Sequence, residues 1–342
     1  MGHQVTIVGT SSHIDKIWEY RVRNLTAFLI PLRRSPRILA LTQFKDEIEG
    51  MKKVLSSLEF DVMHAHWSYE FALAALSVDK NALITAHDAP FTILRSFKDP
   101  YRFFRFLMAV RVRARTKNLT FVSPYLKARW WTEMLWRKNS MVIPNISPFQ
   151  ISNTGEFSEM GRVIASIGDS TDRKNIRTLL LAFKLIRSKI PEATLNLFGN
   201  DLSENSEIAK WAKQKNLNFG VIWHGYVERS QLEEELGSAD LMIHPSLEDA
   251  QPMVLLEAMS QGIPVIGGKD SGGVAWSLGE AGRLVDVKNP EAIAGEAILI
   301  LTNQRIREQM GSAGRMLIAS KYSPEKIAGS YYEEYVKIVG AL

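Results

Sequence analysis

Apolar runs of four to seven residues alternate with longer stretches of helical period along most of this chain, the pattern left by parallel βαβ units. In the first half the short runs are QVTIV (4–8), FDVMHAH (60–66), NALITAH (81–87), LTFVS (119–123) and SMVIP (140–144), each read as a strand. Helical periodicity fills 42–57, 69–78, 101–116 and 124–135. Residues 145–160, NISPFQISNTGEFSEM, lose both periods and collect Ser, Asn, Pro and Gly, which predicts a linker. The alternation then resumes, with strands at 162–168, 193–199, 220–225, 240–245 and 264–268. Helices are expected near 175–188, 203–215, 230–236 and 252–260, and the tail from Pro290 reads as helical to its end at SPEKIAGSYYEEYVKIV (323–339). The fold class is therefore α/β, with two doubly wound Rossmann-like domains. Their expected limits are 1–147, joined by a returning helix at 323–342, and 148–322. In such sheets ligands bind beyond the carboxyl ends of the strands.

Composition narrows the class without naming a chemistry. No apolar run approaches the roughly 18 residues of a membrane span, and the start, MGHQVTIVGTSSH, lacks the basic-then-apolar order of a signal peptide. The chain has no cysteine, which excludes disulfides, thiolate metal sites and a cysteine nucleophile. A reducing cytoplasm suits such a chain. The net charge of +5 is unevenly spread: of 42 Lys and Arg and 37 Asp and Glu, residues 1–150 hold 22 and 12, leaving 20 and 25 for the rest. The densest basic part is YRFFRFLMAVRVRARTK (101–117), with six cations and no acid. Its interleaved aromatic and basic residues fit either a helix docked on an anionic inner membrane face or an ordinary helix with one solvated side.

One stretch carries more than a fold. In EDAQPMVLLEAMSQG (248–262), Pro252 suits a helix start, Gly262 suits its C-terminal cap, and Glu257 stands alone in an apolar run. A helix N-terminus at Met253 and Val254 offers free N–H groups to an anion. A ligand with a central diphosphate and hydroxyl-bearing sugars at both ends would match the two acids, Asp249 and Glu257. Alternatively, Asp249 caps the helix and Glu257 faces solvent.

The longer segment HPSLEDAQPMVLLEAMSQGIPVIGGKDSGG (244–273) closely resembles the signature of retaining GT-B glycosyltransferases of family 4. That signature is an acid, seven residues and a glutamate, then a G-x-P-V-I strand and a Gly-Gly loop. Asp249 has the required spacing; Glu248 is one residue early. The loop is similar to the branch that builds bacterial capsule and exopolysaccharide. GDSTDRKNIRTLLLAF (168–183) resembles the family's phosphate-binding loop, with Lys174 and Asn175 matching but Asp169 where an arginine is usual. Arg173 could supply that charge from another point of the loop.

FDVMHAHWSYEFALAAL and NALITAHDAP resemble two strand ends of the family's first domain, VSPYLK (122–127) and VIPN (142–145) its last strands. The chain departs from the family at its start, where GHQVTIV stands without the usual preceding strand, Gly-rich loop and helix. A late start site, a fragment, or QVTIV serving as the central first strand would each account for that.

The resemblance implies two domains facing each other across a cleft, and a metal-independent hexosyl transfer from a nucleotide-diphospho-sugar. A UDP- or GDP-sugar is thus the substrate, and no cofactor is implied. His87, Asp249 and Lys174 are the implied catalytic residues. Glu257, Arg173, Gly168, Pro252, Met253, Val254, Ser271, Gly272 and Gly273 would hold the donor, while His66 and Trp67 line the cleft near the acceptor. His64 points the same way as His66 or packs in the sheet. The implied acceptor is a glycan or a lipid-linked glycan at the inner membrane face; no nucleic acid and no metal are expected. Two other classes stay open: a non-catalytic paralogue that binds sugar nucleotide or scaffolds a polysaccharide complex, and a sugar-nucleotide 2-epimerase.

Overall fold

The computed structural model describes residues 2–32, 35–147, 149–151, 157 and 159–340 of the chain. They fall into two units, Met1–Ile143 with Ser330–Leu342, and Pro144–Gly329. The linker expected at 145–160 includes 148, 152–156 and 158, which lie outside the described residues. Its first part is not loose. Phe149 is buried in the core of the second unit, and the Ser147 hydroxyl is buried against the Leu256 carbonyl at 3.3 Å.

The first unit opens with β1 (Val5–Ser11), β2 (Trp18–Val22) and β3 (Leu25–Pro31) in the order β1-β3-β2. β1 runs parallel to β3 and β2 antiparallel to it. Sequence reading expected only the first of these strands. The β2–β3 hairpin escapes it because its two-residue turn is Arg23-Asn24, with Arg23 at φ 50°, rather than one of the usual glycine-containing pairs. Val8, Phe28 and Ile30 turn one face of this sheet onto a cluster around Met51 and Val54. On the opposite face Val5, Ile7, Trp18, Tyr20 and Val22 stand exposed. Among the described residues β1 is an edge strand bonded to β3 alone, so QVTIV is not the central strand of its sheet.

Next come α1 (Pro36–Thr42), α2 (Lys45–Leu55), β4 (His64–His66), α3 (Glu70–Val78), β5 (Leu83–Ala86), α4 (Pro90–Phe97), α5 (Pro100–Arg115), β6 (Asn118–Phe121) and α6 (Pro124–Glu133). The helix expected over 42–57 is interrupted, because Gln43 and Phe44 take left-handed φ values of 50° and 56° between α1 and α2. β4, β5 and β6 form a separate parallel sheet. α5 and α6 start where Asp99 and Ser123 accept the N–H of Arg102 and Leu126, each followed by proline at the first helical position. The strand expected at 140–144 shrinks to a single bridge, Phe121 with Val142, because Pro144 has no N–H to extend it.

The basic stretch 101–117 is largely engaged within the unit. Arg102 pairs with Asp99 at 3.0 Å and Arg105 with Glu70 at 3.2 Å. Arg111 reaches Gln43, Arg113 the Met134 and Leu135 carbonyls, and Lys117 the Asn81 side chain.

The second unit follows a doubly wound plan. In chain order it comprises β7 (Val163–Ile167), a 3₁₀ turn (Asp172–Lys174), α7 (Ile176–Lys189), β8 (Thr194–Phe198), α8 (Glu207–Gln214), β9 (Val221–Gly225) and α9 (Arg229–Gly237). Then come β10 (Leu241–His244), α10 (Met253–Ser260), β11 (Val265–Gly268), α11 (Val274–Leu278), β12 (Arg283–Val285), α12 (Pro290–Leu301) and α13 (Gln304–Lys321), after which α14 (Pro324–Gly340) belongs to the first unit from Ser330 onward. The six strands are parallel, in the order β12-β11-β10-β7-β8-β9.

Alternation along the strands builds two cores. Ile164, Leu241, Ile243 and Ile266 face one set of helices, and Ala165, Met242 and Val265 face the other. The winding direction reverses between β7 and β10, so a crevice opens between the loops that follow those two strands.

Candidate functional site

The loop after β7 and the loop after β10 are stitched together. The Leu247 N–H donates to the Arg173 carbonyl at 2.8 Å, and the Ser246 hydroxyl lies 3.3 Å from that same carbonyl. Asn175 takes the left-handed conformation (φ 56°) at the start of α7. Its amide donates to the carbonyls of Pro245 (3.1 Å) and Val287 (2.8 Å), tying three strand ends together. A third loop joins through Asp249. Its N–H meets the Ser271 carbonyl at 3.3 Å and its carbonyl accepts the Gly273 N–H at 2.8 Å. The Gly273 amide expected to approach a donor is therefore spent on Asp249. Gly272, at φ 71°, supplies the left-handed residue this loop needs.

Inside this frame Lys174 Nζ sits 2.8 Å from Asp249 Oδ2, with both side chains mostly buried. The lysine stem lies along Gly168, where an added Cβ would meet it at 3.6 Å. Arg173 donates to the Glu248 carbonyl at 2.8 Å and stands 3.8 Å from Asp249 Oδ2. Its guanidinium thus braces the β10 loop, a use that sequence reading did not foresee. Burial is the largest single influence on Asp249 and opposes its ionisation, but Lys174, His244 and Arg173 together outweigh it, and the carboxyl is held below its ordinary range. Asp169, which stands where the resembling family has arginine, accepts both the N–H (2.9 Å) and the hydroxyl of Thr171. It acts as a turn former at the entrance to the 3₁₀ turn.

A close backbone approach sets the floor of this crevice. A Cβ on Gly199, at φ 128°, would fall 1.8 Å from the Gly168 carbonyl oxygen. Gly199→Ala is expected to destabilise the chain by about 2–3 kcal/mol, the order of cost for a forced backbone conformation. Urea unfolding checks this; a midpoint unchanged from wild type would show that the two loops separate freely.

α10 begins at Met253 with Pro252 as its N-cap, and Gly262 (φ 75°) closes its far end. The N–H groups of Met253 and Val254 open its first turn without an intrahelical acceptor, while that of Leu255 donates to the Pro252 carbonyl at 3.3 Å. Glu257 is buried within the helix, 3.9 Å from Arg229 at the start of α9. Burial raises its pKa against the pull of Arg229. The Arg229 guanidinium also lies over the Phe149 ring, 5.0 Å from its centroid.

In the first unit β4 and β5 bring His66, Trp67 and His87 together. His66 Nδ1 and His87 Nε2 share a hydrogen bond of 2.9 Å, and the Trp67 ring centroid is 5.2 Å from that of His87. His64 does both things expected of it: its ring lies 4.4 Å from that of His66, and it packs into the unit. There it bonds Thr85 (2.7 Å) and Tyr335 of α14 (2.8 Å). Burial lowers all three imidazoles, with His64 and His87 near about 3, so the cluster is neutral at physiological pH. Among the described residues no group of three or more His, Cys, Asp or Glu could hold a metal ion.

Sequence reading missed two residues here. His244 ends β10 beneath Asp249, and its signal was a lone imidazole at the carboxyl end of an apolar strand. Arg229 stands at a helix N-terminus, where the macrodipole disfavours a cation.

Residues 149–316 match the family model described as Glycosyl transferases group 1, and residues 1–146 match Glycosyltransferase Family 4. Among curated proteins the chain is similar to an N-acetyl-alpha-D-glucosaminyl L-malate synthase of Bacillus anthracis. The two are 23% identical over 365 aligned positions, covering 99% of this chain and 90% of that one. Among solved structures it resembles a sucrose-phosphate synthase of Thermosynechococcus elongatus, with TM-score 0.81 and 19% identity over 100% of this chain and 90% of that one. It also resembles Alr3699/HepE of Anabaena, solved with UDP and glucose, with TM-score 0.67 and 16% identity over 91% and 85% of the two chains.

Proposed function

The chain belongs to the glycosyltransferases of group 1, with a family 4 N-terminal region and the GT-B fold, and on that premise we propose that it transfers a hexose from a nucleoside-diphosphate sugar to a glycan acceptor with retention of configuration. The observation that carries this reading is the Lys174–Asp249 pair at the switch point of the second unit, next to the start of α10. Lys174 and the α10 N-terminus would stabilise the departing diphosphate, where negative charge develops. Asp249 would accept hydroxyls of the sugar and Glu257 those of the ribose. The leaving phosphate would take the proton of the attacking hydroxyl on the same face, with no metal involved.

The first unit, with His66, Trp67 and His87, would receive the acceptor. A neutral His87 suits hydrogen bonding to a sugar hydroxyl better than charge stabilisation. UDP is the first nucleotide to test, because the Anabaena relative was solved with UDP. A lipid-linked acceptor in capsule or exopolysaccharide synthesis fits the basic first half of the chain. The internal partners of α5 mean that contact with an inner membrane face would draw on other side chains.

A second reading, a sugar-nucleotide-binding paralogue without turnover, is favoured by Asp169 and by the commitment of Arg173 to Glu248. Release of UDP or GDP from a sugar donor by the purified chain separates the two. Glu257→Ala is expected to weaken UDP or GDP binding at least tenfold, since two charge-assisted hydrogen bonds would be lost. Calorimetry checks it, and undiminished affinity would remove Glu257 from the donor site.

A further inference from the structure

His244 is only 1% exposed, yet neither ring nitrogen has a hydrogen-bond partner among the described residues. Native interiors seldom leave a buried polar ring in that state, so it calls for a reason. The ring faces three charged side chains, Lys174, Asp249 and Arg173. Its Nε2 lies 3.9 Å from Asp249 Oδ2, too far for a hydrogen bond. That same oxygen is taken by Lys174 Nζ at 2.8 Å. Burial first, and then the two cations, hold the imidazole neutral with a pKa lowered to about 3, so it carries a single N–H.

The donor-site reading gives Lys174 two anionic claimants, the Asp249 carboxylate and a diphosphate. When the ammonium turns to the diphosphate, a mostly buried carboxylate loses its nearest partner, which is costly unless another donor replaces it. Arg173 does not fill that place as it stands, because its bond to the Glu248 carbonyl holds its NH1 3.8 Å from Asp249 Oδ2. We infer that His244 is a positioning residue whose Nε2–H takes over Asp249 Oδ2 when a bound diphosphate draws Lys174 away. A shift of about 1 Å brings the pair to hydrogen-bond distance. Because the incoming donor is neutral, Asp249 keeps its full charge and its remaining lone pairs for sugar hydroxyls. His244 would thus make the exchange of partners nearly level in energy, and the ring's unmet bonds in the unliganded protein are the other half of that exchange.

The inference rests on the donor-site reading, and the test keeps the two apart. The full chain, labelled with ¹⁵N-histidine, is titrated with UDP and in parallel with GDP, and affinities are measured by calorimetry. On saturation the His244 Nε2–H resonance should move downfield and slow its exchange with water, and Asp249→Asn should abolish that change. His244→Phe should weaken nucleotide binding about tenfold, the usual order for a hydrogen bond to a charged group. His244→Gln, which keeps an N–H donor, should recover most of it. In the Asp249→Asn background His244→Phe should add no further loss. A role confined to packing would lower the melting temperature of both His244 variants and leave nucleotide affinity alone. Nucleotide binding with an unmoved imidazole resonance, or with wild-type affinity in His244→Phe, overturns the role of His244 while the donor site stands. Absence of UDP and GDP binding to the wild-type chain overturns both.

Discussion

Lys174→Met is expected to abolish most turnover and, unusually for a catalytic substitution, to cost stability as well. The catalytic part follows from position. Lys174 ends the 3₁₀ turn after β7, the only cation of that loop whose side chain is not tied to backbone or exposed, and it lies at the winding reversal of the sheet. Removing one preorganised donor to a developing charge typically costs on the order of 10²–10³ in rate. The stability part follows from Asp249, whose carboxylate would remain mostly buried with Arg173 at 3.8 Å and His244 at 3.9 Å but no hydrogen-bonded cation. Breaking a buried pair from one side costs roughly 3–5 kcal/mol, and the His244 ring, 3.9 Å from the freed oxygen, should hold the loss to the lower end of that range. The double variant Lys174→Met/Asp249→Asn separates the two effects: its urea midpoint should return toward wild type while activity stays lost. A single variant that melts within about 0.5 kcal/mol of wild type and still releases nucleotide from a sugar donor would count against the pair as the centre of the site.

How much of this was legible beforehand differs between the two units, for physical reasons. Strands β7, β8, β10 and β11 are central and covered on both faces, so their apolar runs stand out from the amphipathic helices between them. β2 is an exposed strand that alternates Trp, Glu, Tyr, Arg and Val, and without a turn dipeptide of the usual kind it does not announce a hairpin. β12 has only three residues, and one of them is Arg283. In the site, the Asp249-to-Glu257 spacing can be read along one segment because loop and helix are contiguous. The Lys174–Asp249 pair cannot, since 75 residues separate the partners and only the sheet order brings them together. Arg173 marks the limit of what the sequence can say. Sequence alone placed its charge in the loop but could not show that the Glu248 carbonyl claims the guanidinium. Asp169 shows the converse: a residue that breaks the family pattern has a local duty, the Thr171 turn, which needs no ligand to explain it.

Acid should unfold this protein well before the carboxylates titrate, and the first unit should go first. His64, His87 and His244 are held neutral in the fold with pKa values lowered to about 3, chiefly by burial, and His66 is shifted the same way. In the unfolded chain each would titrate near 6.5. Between those values the unfolded state binds protons that the folded state refuses, so this stability is complete above pH 6.5 and is lost as pH falls toward 3. Each such histidine contributes a slope of up to about 1.4 kcal/mol per pH unit. Three of the four, His64, His66 and His87, belong to the first unit and only His244 to the second. Glu257 works the other way, since its raised pKa lets the folded state take up a proton first, but it is one group and lies in the second unit. Asp249 joins the histidines only below its ordinary carboxylate range, where most of the loss has already occurred. Hydrogen exchange followed by mass spectrometry from pH 7.5 to 4.5, corrected for the intrinsic pH dependence of exchange, should show β4, β5 and β6 losing protection ahead of β7, β8 and β10. His64→Phe should flatten that dependence in the first unit by about one proton, because it removes the most buried member of the cluster and leaves the His66–His87 bond in place. Equal loss of protection in both units, or a stability that holds level from pH 7 to 5, would mean that the imidazoles find compensating partners as they charge.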